Sequence, residues 1–312
     1  MRPALPTDPE QPGWDAIDAA LSQLYPDQGP RHFAADLPRR LGGADVDGIS
    51  VYERPDHWHY VTYGLTELYE KESDDPDYSG WGFELTFRLR REQAEPPAWP
   101  LEVLRYLSSY VFDTGSLFAA GHRINLHRPV SADATITAAA FVDDPELPER
   151  ATPHGLVGFL QIVGLTNDEY VACGRWSGEQ VLDLMRQDNP LLITETHRPS
   201  ILDDPARAAA IDAGIARDGS ATAAIRVNSA DLREGLLILP VTATDRIRDA
   251  FMGRLRQGRD LTIMTADGEI GINTGEKLVL TAEAIEELIA LLDGSTGEHR
   301  LRHHPGLIVR FV

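Results

Sequence analysis

The sequence predicts an α+β fold in two parts: a large N-terminal domain built on a mixed sheet and a smaller C-terminal α+β domain. Three observations predict it. "FELTFRLR" alternates apolar and polar residues at the period of a strand, whereas "LEVLRYL" and "AIEELIALL" repeat at the period of a helix. After Gly235 the chain restarts with strands and a helix of its own. And 312 residues exceed what one hydrophobic core usually organises.

Taken in order, residues 1–13 carry four prolines and few apolar side chains and read as a flexible leader. "GWDAIDAALSQLYP" predicts a helix, with Ile17, Leu21 and Leu24 on one face and Pro26 as its stop. "DGISVYERP" and "HWHYVTYGLTELY" predict strands, being rich in Val, Tyr, Trp and Thr. In "GWGFELTFRLRRE", Phe83, Leu85, Phe87 and Leu89 face one way and Glu84, Thr86, Arg88 and Arg90 the other. That alternation predicts a sheet with one buried face. "PPAWPLEVLRYLSSYVFDTG" predicts a helix through Leu101, Leu104 and Leu107, with Pro100 in its first turn.

"TITAAAFVDD" and "GLVGFLQIVGLT" predict two more strands, joined by an acidic, proline-rich loop from Asp143 to Pro153. "SGEQVLDLMRQ" predicts a helix, "PLLITETHR" a strand, "DDPARAAAIDAGIARDG" a polar helix and "AAIRVNSADL" a strand. The C-terminal strands are "LLILPVTA", "DLTIMTADGEIGIN" with Asp267-Gly268 at its turn, "EKLVLT" and "GLIVRFV". Thr281 is placed to cap a helix carrying Ile285, Leu288, Ile289 and Leu292, with Gly294 at its end. The domains are therefore drawn as 14–232 and 233–312.

Composition limits the function classes. Twenty-nine basic against 49 acidic residues leave a formal net charge of −20, which repels phosphate backbones and anionic lipid and favours a basic partner. Solubility alone also accounts for it. A single cysteine, Cys173, excludes an internal disulfide and a thiolate metal cluster, and "VACGRW" matches no cysteine-nucleophile signature. No apolar run reaches the length of a membrane span, and the N-terminus lacks the pattern of a signal peptide, so the expectation is a cytoplasmic protein. Phosphate-cradling and Gly-x-Ser-x-Gly signatures are missing from the sequence, "GEIGIN" and "GLVGFLQIVG" are weak dinucleotide fingerprints because neither opens a helix, and no cofactor is expected.

His57 and His59 are the one pair with metal-ligand spacing. On a strand they share a face, and a third ligand such as His122, His127, His154 or Glu84 would complete a zinc site. Structural histidines bonded within a half-buried sheet explain the same spacing. "ESDDPD" and "DDPE" read as solvated acidic loops, and Arg88 and Arg90 as partners of nearby acids.

Several long blocks carry a resemblance: "PDHWHYVTYGLTELY", "SGWGFELTFRLRRE", "PPAWPLEVLRYLSSYVF", "TPHGLVGFLQIVGLTNDE", "WSGEQVLDLMR" and "LLITETHR". They are followed in order by "MGRLRQGRDLTIMT", "KLVLTAEAIEELIALL" and "GLIVRFV". Together they resemble the Suppressor of fused family, closely over about residues 12–200 and more weakly beyond. The short connection between domains, where animal members carry a long disordered insert, and the Ala-, Arg- and Asp-rich composition resemble a bacterial-type member.

The resemblance implies a Suppressor-of-fused-like fold and a non-enzymatic inhibitory binding protein. Animal members restrain zinc-finger transcription factors of the Hedgehog pathway by clamping a peptide as an added strand between their two domains. Bacterial relatives are regarded as immunity proteins against toxins, and an acidic chain suits a basic toxin. By position, Tyr110 matches a tyrosine lining the peptide cleft. Ile225 and Val227 match contacts on the receiving strand, and Leu255 is a contact from the small domain. His122 stands where animal members have an acid that pairs with a histidine of the peptide, so the animal peptide is not the expected ligand. A metalloenzyme using His57 and His59 and a general intracellular scaffold are the alternative readings. In the family, the His57–His59 block is a strand with Trp58 and Tyr60 in the core.

Overall fold

Proline at the first turn and the Ile17–Leu21 stripe make α1 (Pro12–Leu24), which closes at Tyr25. The computed structural model describes residues 10–274 and 278–312. The leader read for residues 1–13 lies outside the described residues up to residue 9, and Pro12 and Gly13 already belong to α1. Gly13 permits a close approach, since a Cβ there would fall 2.0 Å from the Glu67 carbonyl oxygen.

Eight strands follow: β1 (Arg31–Ala34), β2 (Gly48–Glu53), β3 (His57–Tyr63), β4 (Tyr78–Arg90), β5 (Arg123–Asn125), β6 (Ala138–Asp143), β7 (Arg150–Thr152) and β8 (Gly155–Leu165). Helix α2 (Trp99–Thr114) lies between β4 and β5 in the chain. The strands form one sheet in the order β1-β2-β3-β4-β8-β6-β5, with β7 paired to β8. Only β4 and β8 run parallel in this sheet. Trp58 lies across from Leu89 and Tyr60 across from Phe87. These four, with Phe83 and Leu85, pack against Leu101, Leu104 and Leu107 of α2. Each fully buried leucine contributes about 1.5–3 kcal/mol, enough for this stripe to hold the helix to the sheet.

The expected single buried face is corrected: both faces are covered. On the second, Ile17 and Leu21 of α1 pack with Tyr52, Val61, Tyr63 and Phe159. Glu84, Thr86 and Arg88 point into this side and are wholly buried, bonded to groups remote in sequence, with Arg88 Nε alone of the guanidinium nitrogens left without a hydrogen bond. "PLLITETHR" is corrected too. Leu192 takes a left-handed conformation (φ +50°), and only Thr194 bridges β4, opposite Leu89. Asn189 accepts from the Ile193 N–H and donates to its carbonyl, and Gln161 donates to the Leu191 carbonyl, holding the segment as a turn.

Helices α3 (Asn167–Arg175) and α4 (Gly178–Arg186) complete the first half of the chain. Contacts group the residues into two units, the first up to Tyr170 with Leu182–Pro199, the second Val171–Val181 with Ser200–Val312. The second contains α5 (Pro205–Asp218), β9 (Ala224–Arg226), β10 (Asp231–Arg233), β11 (Leu236–Leu239), α6 (Thr244–Gly253), β12 (Leu261–Met264), β13 (Glu269–Ile272), α7 (Ala282–Leu291), β14 (Gly297–Arg300) and β15 (Ile308–Phe311).

Two small sheets, β10-β11-β15-β14 and β13-β12-β9, enclose a core with Leu237, Phe251, Ile263, Ile285, Leu288 and Val309. The boundary drawn at 232 therefore differs from the contacts. β9 pairs in parallel with β12, and β10 pairs with β11, so residues 200–232 pack with the C-terminal strands. The single strand read in "AAIRVNSADL" is two short ones. Of "EKLVLT", residues 276 and 277 lie outside the described residues and Leu278–Leu280 form no strand. Thr281 caps α7 by accepting from the Ala284 N–H. The helix closes at Leu291, short of Gly294. Thr281→Ala is expected to lower stability by about 1 kcal/mol, read from the urea midpoint at unchanged slope.

Candidate functional site

Every residue of β3 is buried, so His57 and His59 have protein partners rather than solvent. His57 Nδ1 lies 2.8 Å from Asp56 Oδ1. The Tyr25 hydroxyl meets His59 Nδ1 at 2.8 Å, and Asp144 Oδ2 lies 3.4 Å from Nε2. With a carboxylate facing Nε2, the proton is assigned there and Tyr25 donates to Nδ1. Arg88 donates to both Asp144 oxygens (2.6 and 2.9 Å), to Glu146 (3.0 Å) and to Gln161. Thr86 Oγ1 and the Glu146 and Leu147 amides also donate to Asp144.

Burial, then the Arg88 charge, pushes His59 down to about 4. Burial alone would raise Asp144, but the His59 imidazole facing it at 3.4 Å and the two bonds from Arg88 hold it far below the usual carboxylate range. The short His59–Asp144 distance suggests an ion pair, yet the depressed histidine argues against one. Arg88 already neutralises Asp144, so His59 stays neutral. "DDPE" is thus corrected: Asp143 is exposed, but Asp144 ties its loop to the sheet.

A tyrosine, histidine and aspartate in series can relay a proton only where substrate reaches them. Here the side chains of His59, Arg88 and Asp144 are each 0 % exposed, and cavities of about 460, 380 and 270 Å³ are lined by other residues. Among the described residues, no group of three or more His, Cys, Asp or Glu is placed to hold a metal ion. Cys173 is buried in α3. Glu84, which the sequence put on a polar face, is the other buried anchor. It accepts from the Thr62 and Thr66 hydroxyls and from the Gly64, Leu65 and Thr66 amides, fixing the turn after β3.

The residues expected to read a partner fall into two groups. In the first unit, half-buried Tyr110 stacks on Phe118 (5.6 Å), which stacks on Phe141 (4.2 Å). Exposed His122 accepts from the Phe141 amide just before β5, the strand that ends the sheet. Tyr110 and His122 are therefore gathered around Phe141. In the second unit, Ile225 (6 % exposed), Val227 (4 %) and Leu255 (1 %) all belong to the core.

Strand β9 ends its sheet. Thr262 N–H donates to Ala223 C=O and Val227 N–H to Met264 C=O, both at 2.9 Å. By strand alternation, residues 223, 225 and 227 face β12, while Ala224 and Arg226 turn their N–H and C=O groups to the open side. The Arg246 guanidinium donates to that outward Arg226 carbonyl at 2.6 Å. Sequence reading missed Arg246, because only the backbone register shows what it touches.

A family model described as Suppressor of fused protein (SUFU) matches residues 42–199. The human and mouse Suppressor of fused homologs are each 37 % identical over 234 residues, which is 67 % of this chain and 48 % of theirs. The chain thus spans about half the length of those curated relatives. A crystal structure of Drosophila Suppressor of Fused superposes with a TM-score of 0.82 at 22 % identity, covering 100 % of this chain and 99 % of that one, a likeness of fold. A chain of the Sufu–Fu complex crystal structure gives 0.60 at 32 % identity over 64 % of this chain and 96 % of that one.

Proposed function

This chain belongs to the Suppressor of fused family, and we propose that it is a non-enzymatic protein that binds and restrains a polypeptide partner, a basic toxin of bacterial origin that it neutralises. The observation that carries the reading is β9, an edge strand whose buried side chains fix its position while Ala224 and Arg226 turn backbone groups outward. An extended segment laid along it gains main-chain hydrogen bonds, the strand-addition mode of peptide recognition. Tyr110 and His122, gathered around Phe141 on the first unit, are a separate set of proposed partner contacts, and the Sufu–Fu complex shows a relative with a protein partner. A chain of net charge −20 draws a basic partner at long range.

Co-purification with toxins encoded beside its gene tests the reading. A stable complex that suppresses toxicity is expected, and failure to bind or protect against any of them contradicts it. The strand-addition step has its own test in Ala224→Pro. Proline at the start of an edge strand with its nitrogen outward keeps the ladder to β12 but cannot donate to an added strand. Partner affinity measured by calorimetry is expected to fall at least about tenfold with the melting temperature nearly unchanged. Undiminished affinity would remove β9 from the interface.

A further inference from the structure

A cavity of about 460 Å³ lies in the first unit, beside the turn that Glu84 fixes. Gly64, Leu65, Thr66 and Gly80 line it, with Trp81 and Phe112, whose ring centroids lie 6.4 Å apart. Asp47, Glu67, Glu70 and Glu72 line it as well, and Arg39 is the one basic lining residue. The acidic side is organised: Glu67 accepts from the Glu72 and Ser73 amides and from Lys71. These bonds outweigh burial and hold Glu67 down to about 2, so it is charged at any working pH. Lys71 offsets part of that charge, and the lining remains acidic.

Arg39 shows what this lining accepts. Its guanidinium sits over the Phe112 ring, 3.6 Å from the centroid, with one nitrogen donating to the Ala44 carbonyl and its own amide donating to Asp47. Yet Arg39 is exposed, so few contacts tie it there. A flat cation on an aromatic face, in a cavity whose lining also carries carboxylates, is the kind of site by which proteins recognise arginine and substituted lysine side chains. We propose that this cavity is a binding site for a basic side chain of a polypeptide ligand, and that Arg39 occupies it as an internal stand-in which the ligand displaces. The site is independent of the β9 edge. An anionic ligand paired to Arg39 is the opposite reading, and the surplus of carboxylates disfavours it.

The two readings give opposite signs for one substitution. A capped tetra-arginine peptide is titrated into the full chain by calorimetry, with Arg39→Ala beside Arg233→Ala. The latter removes the same charge from a side chain 82 % exposed on β10. Arg39→Ala is expected to tighten binding about fivefold more than Arg233→Ala, because it also uncovers the Phe112 face. Phe112→Leu in the Arg39→Ala background, checked for an unchanged melting temperature, is expected to abolish that gain without changing net charge. Equal effects of the two arginine substitutions would reduce the attraction to general charge and overturn the site. So would absence of binding in both wild type and Arg39→Ala, or a tetra-glutamate peptide that binds wild type and is lost in Arg39→Ala.

Discussion

Asp144→Ala is expected to lower the folding free energy by roughly 3–5 kcal/mol, the largest effect of any single substitution considered. The reason is what stays behind. Arg88 is wholly buried, and without Asp144 its guanidinium keeps only Gln161 and the partly exposed Glu146. Thr86 and the Glu146 and Leu147 amides lose their acceptor as well. A domain stable by about 5–15 kcal/mol has little margin for such a loss, so the variant should unfold partly near 37 °C. The exposed neighbour gives the control: Asp143→Ala should stay within about 0.5 kcal/mol of wild type. Arg88→Met combined with Asp144→Leu should recover much of the loss, since replacing both members of a buried pair with apolar residues removes the uncompensated charge. Urea midpoints at constant slope read all three. A near-neutral Asp144→Ala would show that the network is ornamental to stability.

Acid should destabilise the protein well before its carboxylates titrate. His59 in the folded chain is pushed down to about 4, while an unfolded histidine titrates near 6.5. Between those values the unfolded chain binds the proton and the folded one does not, so stability falls as pH falls. Across the interval the loss is about 3 kcal/mol. His57 and His32 are lowered by burial and act in the same direction. Asp144, held low, adds its share as pH drops below the unfolded aspartate value near 3.8. Glu84 and Asp18 are raised by burial and act in the opposite direction.

His59→Asn isolates the histidine, because asparagine keeps an acceptor for Tyr25 and does not titrate. Its stability between pH 6.5 and 4 should decline less than that of wild type by about 3 kcal/mol. Superimposable profiles would mean that His59 is not held neutral.

The regular elements were legible where the local pattern is long. β4 and its alternation, α2 with Leu101, Leu104 and Leu107, and α7 with its Thr281 cap follow from periodicity, because one period decides each of them. The second buried face was not legible. Glu84 and Arg88 read as one polar face of a half-buried sheet, and although an acidic partner was expected for the arginine, local pattern cannot show that it is Asp144, 56 residues away. β1, β5, β7 and β9, of three or four residues each, are too short for alternation to register, although two of them end a sheet at the places the function reading relies on.

The second-unit residues show the same division between pattern and partner. The order of sequence blocks pointed to the strand at Ile225 and Val227. Their inward orientation, and hence the outward Ala224 and Arg226, depends on pairing with β12. Leu255 was singled out as a contact and fills the core. Nor could spacing decide His57 and His59. Only Tyr25, Asp144 and Asp56 at their nitrogens show that they serve the fold.

Amide hydrogen exchange at Ala224 and Arg226, with and without a purified polypeptide partner recovered by the co-purification above, tests the central claim most directly. Strand addition predicts that both amides become strongly protected in the complex, while Ile225, already paired to β12, changes little. A tight complex in which Ala224 and Arg226 exchange as fast as in the free chain would contradict it.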